Sequence, residues 1–228
     1  MDPVEIISKV AGKIAPGRAP SFAKAHVLKA LEEISHQKSV GRLKLSKDLQ
    51  LGGGEIRTLV KHLKIEKLID VSNSGISLSS NGRKLLSQLA AFISEPILVS
   101  STPLTVGSVN VAVQVRAMKD FVEYGLEQRD AAKMAGAKGA TTLIFSGNKL
   151  TMPGTREDVL KNNQAVLTSL AKLHLNEGDV IIIGSADEKT KAELGARTAA
   201  LELLKASTQD DQEHVLSDRK VKTHKRVR

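Results

Sequence analysis

The chemistry of this chain is densest between Glu55 and Lys64. There Glu55, Arg57, Thr58, Lys61, His62 and Lys64 are interleaved with Ile56, Leu59, Val60 and Leu63. The apolar residues recur three and four apart, so a helix puts them on one face and turns the polar set outward. Arg and Lys on such a face donate to guanine edges or phosphates, and Thr donates or accepts at base edges. The amides at the helix start suit a phosphate, with which the Glu55 carboxylate competes unless it reads cytosine. Lys44, Lys47 and Arg83, on neighbouring segments, are candidate phosphate clamps together with Lys61 and Lys64. This is the chemistry of a helix able to enter the major groove of double-stranded DNA.

A weaker set lies in the rear half. Gln128, Arg129 and Asp130 stand near a glycine-rich turn holding Gly136 and Gly139. Arg129 offers a fork of donors to a small anionic effector, unless Asp130 neutralises it. The glycine spacing is not that of a P-loop or a dinucleotide fingerprint. Gly184-Ser185, ahead of an expected helix, reads as a second anion nest. Catalytic sets are missing. His26, His36, His62, His174, His214 and His224 form no metal-ligand pair at helical spacing, there is no cysteine, and no nucleophile elbow surrounds a serine. Asp120, Glu123, Glu127 and Asp130 share one face of an expected helix. With Lys119, Arg129 and Lys133 beside them they read as a solvated face rather than a divalent-ion site. No enzyme, metal or cofactor is expected.

The elements that must position these residues follow from punctuation and period. Residues 16–20 break the chain, and Ser21 is placed to cap a helix over 22–34 with Phe22, Val27, Leu31 and Ile34 inward. A short helix starts at Ser46. Gly52, Gly53 and Gly54 then form a turn that exploits glycine's access to positive φ. The helix over 55–66 follows. Residues 68–71 and 76–78 make a ribbon around Ser72-Asn73-Ser74-Gly75, and a last helix begins at Ser79 or Ser80. That order is a winged helix-turn-helix, which lays one helix in the major groove.

Ser94-Glu95-Pro96 marks a boundary, giving a DNA-binding domain at 1–95, a dimerisation or effector-binding domain at 96–206 and a flexible charged tail at 207–228. In the rear domain, strands are expected at 97–99, 105–115 (period two, half-buried), 141–145, 150–152 and 180–183. Helices are expected at 119–135 (broken near Gly125), after a Thr155 cap, and at 187–204. The fold class is α+β, a mixed or antiparallel sandwich rather than a doubly wound sheet.

Charge supports this division. Residues 1–95 carry a net +6, residues 96–205 a net +1, and the tail +2, as expected if only the front meets phosphate and the tail adds non-specific affinity. Tryptophan is absent and Tyr124 is the sole tyrosine, which disfavours base-stacking recognition of single strands. Without cysteine there are no disulfides. Residues 1–9 lack the apolar core of a secretory signal, and no apolar run approaches the ~20 residues of a membrane span. A cytoplasmic location and no membrane partner are expected.

Residues 45–49 (LSKDL), the glycine turn, the 55–66 helix, Leu68-Ile69 and residues 78–82 (LSSNG) together resemble the winged-helix domain of bacterial and archaeal transcription regulators. In such regulators positions like Arg57, Thr58 and Lys61 contact DNA. Over nearly its full length the chain is also similar to a group of archaeal candidate transcriptional regulators that join a winged helix to an uncharacterised C-terminal domain. That likeness is carried by 106–113 (VGSVNVAV), 125–132 (GLEQRDAA) and 135–143 (AGAKGATTL). It implies a DNA-binding regulator. Regulators of this type usually act as homodimers on paired half-sites, with the interface here in the rear domain or the helix over 81–93. The alternatives are a winged-helix adaptor that binds protein rather than DNA, and a small-molecule enzyme built on the rear domain.

Overall fold

The computed structural model describes residues 2–13, 19–161 and 163–224, with side chains described as far as Thr208. The front half holds α1 (Pro3–Ala11), α2 (Lys24–His36), α3 (Arg42–Leu49), α4 (Gly53–Ile65), the antiparallel ribbon β1 (Ile69–Ser72) and β2 (Gly75–Leu78), and α5 (Ser80–Ala90). From α2 onward this is the winged helix-turn-helix order. α1 is the element that the sequence reading leaves out. Asp2 caps it by accepting the Val4 amide at 2.9 Å, and Pro3 sits in the first turn, where a missing N–H costs nothing. Its Val4, Ile7 and Val10 are buried, and the helix packs on α2, α4 and α5.

Several local expectations change. Ser21 is not the α2 cap: the Ala23 amide donates to His26 Nδ1 at 3.0 Å, and the Ser21 hydroxyl donates to Glu55. The reversal between α3 and α4 does not use glycine at positive φ. Gln50 takes the left-handed conformation (φ 52), Gly52 caps α4, and Gly53 and Gly54 lie inside its first turn.

The rear half holds β3 (Ile97–Val99), β4 (Val109–Val115), α6 (Leu126–Met134), β5 (Gly139–Ser146), β6 (Lys149–Thr151), α7 (Gln164–Leu170), β7 (Val180–Ala186) and α8 (Lys189–His224). The strands form one sheet in the order β3-β4-β7-β5-β6, antiparallel throughout. Val113, Val115, Val180 and Ile182 pack toward the alanines of α8 and Ala132 of α6. Ala112, Leu143, Ile181 and Ile183 pack toward Val166 and Leu170 of α7. β4 is therefore buried on both faces, not half-buried, because helices cover both sides of the sheet.

The expected helix over 119–135 is a 3-10 turn (Lys119–Phe121) separated from α6 by Gly125, whose φ is +74. Asp120 and Glu123 thus lie off the helix that carries Glu127 and Asp130. Thr155 bonds back to the Met152 carbonyl at 2.9 Å, and α7 starts later, capped by Asn163. α8 continues past Leu204 as far as His224, so residues 207–224 have helical backbone. Residues 225–228, and residues 16–18 of the expected break, lie outside the described residues.

The halves are joined along α2, α8 and β4. Ile93 bridges to Val115, the Ser94 amide donates to Gln114 O at 3.0 Å, and the Arg116 amide donates to Phe92 O at 2.9 Å. The Ser94–Pro96 segment is thereby stitched to the sheet. Between α2 and α8, Lys29 meets Glu193 at 3.1 Å, and Arg197 bonds both Glu193 and Glu32.

Candidate nucleic-acid interface

α4 is held from below. Ile56, Leu59, Val60 and Leu63 are buried, and α4 packs on α3 and α1. Arg57, Lys61 and Lys64 are exposed on the other side, and no ion pair among the described residues engages them. Thr58 is half-exposed and its hydroxyl donates to Gly54 O at 3.1 Å, which leaves its oxygen lone pairs for an outside donor. Lys47 is exposed on α3. Lys44 is exposed but bonded to Asp48 at 2.9 Å, and that hydrogen bond raises its pKa. Arg83 is exposed, with one guanidinium nitrogen donating to Leu78 O at the base of the ribbon. The arrangement is a basic helix face flanked by basic side chains from α3 and α5.

Two residues expected to face outward do not serve that way. The His62 side chain is only 6% exposed. Its Nδ1–H donates to Val10 O at 2.8 Å, and its ring stands edge-on to Phe22 with centroids 5.8 Å apart. α1, unseen in the sequence reading, covers that flank of α4 and converts a candidate DNA contact into packing. Glu55 accepts the Gly52 amide at 2.7 Å and the Ser21 hydroxyl. The Ser21 bond first, then the Gly52 amide, hold its pKa below the ordinary carboxylate value. It is a charged cap that occupies the start of α4, not a free reader of cytosine.

The rear set is not brought together as a site. Gln128 is buried in α6, and Arg129 pairs with its neighbour Asp130 at 3.0 Å. Gly136 takes φ +91 in an exposed turn, and Gly139 begins β5. Gly184 and Ser185 lie within β7, not at a helix start. Gly184 pairs with Val111 on one side and Ala140 on the other. A Cβ on Gly184 would come within 2.2 Å of Ala192 O, so this glycine serves the close approach of α8. Ser185 is fully buried and donates to Asn110 Oδ1 at 2.7 Å. The anion-nest reading of this pair is therefore corrected: the strand pairing and α8 leave no room for a ligand. Cavities of about 430, 350, 320 and 280 Å³ open among the described residues, and none of the seven residues lines them.

The α2–α8 ion network leaves no signal in the sequence. Its charges are far apart in sequence, and no local period marks them. The α1 stripe was recoverable from Asp2-Pro3 followed by Val4, Ile7 and Val10. Among the described residues no group of three or more His, Cys, Asp or Glu is placed to hold a metal ion, and no helix is long and apolar enough to cross a membrane.

The family model described as the CggR N-terminal DNA binding domain matches residues 26–93, the segment from the first turn of α2 through α5. A second family model, a domain of unknown function (DUF4443), matches residues 106–203. The solved structure of hypothetical protein PH0730 from Pyrococcus horikoshii OT3 is similar over 81% of this chain and 94% of that chain, with 26% sequence identity and a TM-score of 0.66. No curated protein matches the chain significantly. The front half is thus similar to a DNA-binding domain over the same residues that carry the exposed basic helix.

Proposed function

We propose that the protein is a transcription regulator that binds double-stranded DNA with sequence specificity. It inserts α4 in the major groove and works as a homodimer in the cytoplasm, without catalytic activity. The observation that carries this reading is the outward placement of Arg57 and Lys61, in no ion pair among the described residues, on a helix anchored by Ile56, Leu59 and Leu63, within a segment similar to a DNA-binding domain. Arg57, Thr58 and Lys61 read base edges. Lys47, Lys64 and Arg83 meet phosphates, and Lys44 does so by exchanging Asp48 for a phosphate. Two copies on paired half-sites supply the affinity that one small reading surface lacks. The rear half then senses an effector.

Fluorescence anisotropy on DNA from upstream of the gene, at two salt concentrations, tests the reading. Binding should weaken steeply as salt rises. Arg57→Ala and Lys61→Ala should each cost about 1–3 kcal/mol on the specific site if they contact base edges. Unchanged binding in both variants overturns the assignment of α4. Sedimentation showing monomer alone, with and without DNA, overturns the dimer.

A further inference from the structure

Two neighbouring cavities run along the C-terminal half of α2, one against α5 and one against the start of α8, and the second has the chemistry of a ligand site. One cavity, about 430 Å³, has an apolar floor of Leu28, Leu86, Leu89 and Ile93. The second, about 320 Å³, lies against the first turns of α8. Both are lined by Glu32, His36 and Glu95, and the His36–Glu95 pair closes at 3.1 Å between them.

The second cavity is asymmetric. Glu193, Arg197 and Glu32 line one side, and with Lys29 behind them every charge of that group has a partner. That wall is electrically closed. Two other charged residues of the lining enter no ion pair among the described residues: Lys189 from α8, and Glu33 from α2, on which Lys44 acts only through space while its own hydrogen bond goes to Asp48. The remaining wall is apolar, made by Ile97, Leu98 and Val111, with Leu98 56% exposed. An isolated anion here would lie beside four carboxylates, and an isolated cation would leave Lys189 unmatched. A molecule that carries both charges and an apolar stem matches all three parts.

We infer that this cavity binds a small zwitterion, an amino acid with an apolar side chain being the simplest case. Its ammonium group pairs with Glu33, its carboxylate with Lys189, and its side chain lies on Ile97 and Leu98. The volume falls at the small end of ligand pockets, of order 300–1,000 Å³. Because Glu33 belongs to the front half and Lys189 to the rear, occupancy ties the two together. α2 packs on α1 and α3, the helices that hold α4, so the ligand reaches the reading helix through contacts already in place. This consequence, though not the binding itself, rests on the DNA-binding reading.

The test uses the full chain without DNA. Isothermal calorimetry and thermal melting are run with leucine, methionine and valine, and with putrescine and succinate as single-sign controls. At least one amino acid should bind saturably and raise the melting temperature, while both controls should not. Glu33→Gln and Lys189→Gln should each weaken that binding by about tenfold, the loss of one charge-assisted contact, with the melting temperature of the free protein unchanged. The inference fails if none of the three amino acids binds, if either control binds as well, or if the variants bind with unaltered affinity. Since no readout involves DNA, such a failure leaves the α4 reading standing, and failure of the DNA experiment leaves this one standing.

Discussion

Replacing Arg197 by leucine should be the most informative single change to stability. The Arg197 side chain is 3% exposed, and its guanidinium bonds Glu193 at 3.0 Å and Glu32. Burial works against its charge, but the two carboxylates outweigh that and hold its pKa above the ordinary value. With Lys29 on Glu193, the group of four is neutral. Arg197→Leu leaves one negative charge in excess. Removing one partner of a buried ionic network costs about 3–5 kcal/mol. The low end applies here, because Lys29 still serves Glu193 and the Glu32 side chain keeps 15% exposure to the cleft. A loss of about 3 kcal/mol in a chain of this size lowers the melting temperature by about 6–12 °C. Thermal and urea unfolding followed by circular dichroism at pH 7 measure it. Adding Lys29→Leu and Glu193→Leu removes the other deeply buried charges and leaves only Glu32, which keeps 15% exposure to water, so at least half the loss should be recovered, since apolar replacement of buried ionic partners is often near neutral. A shift below about 2 °C for Arg197→Leu, or a triple variant less stable than the single one, refutes the account of a desolvated network.

Gly184→Ala should destabilise by about 3 kcal/mol in urea unfolding, at the upper end of overpacking costs, because its Cβ meets the Ala192 and Ala196 backbone at 2.2 and 2.7 Å. His62→Ala should cost about 1–3 kcal/mol through the unpaired Val10 carbonyl, while the salt slope of DNA binding, read by anisotropy, stays that of the parent. Stability should also fall in acid through His26. Its burial, then the charge of Lys29, lower its pKa below 6.5 against a smaller pull from Glu55. The folded state therefore disfavours the protonated ring. The contribution is complete above pH 6.5 and is lost as pH falls through the depressed folded value. His26→Gln, which keeps an acceptor for the Ala23 amide, should flatten that part of the stability–pH curve.

The sequence by itself determined whatever depends on neighbours along the chain. The three- and four-residue spacing of Ile56, Leu59, Val60 and Leu63 chose both the helix and its outward basic face, because helical period assigns faces without knowing the partner. The ribbon after it was legible from its Ser72–Gly75 turn, and the Val180–Ile183 strand from its run of β-branched residues. Tertiary structure decided everything that needs a second element at the same place. His62 reads as outward until α1 covers it, and Gly184 reads as a nest until α8 lies 2.2 Å from its missing Cβ. Lys29, Glu193, Arg197 and Glu32 lie far apart in sequence, and only the packing of α2 on α8 buries them together. Periodicity reports which face of a helix is turned toward something. Only packing specifies what that something is, and so which polar groups lose their water.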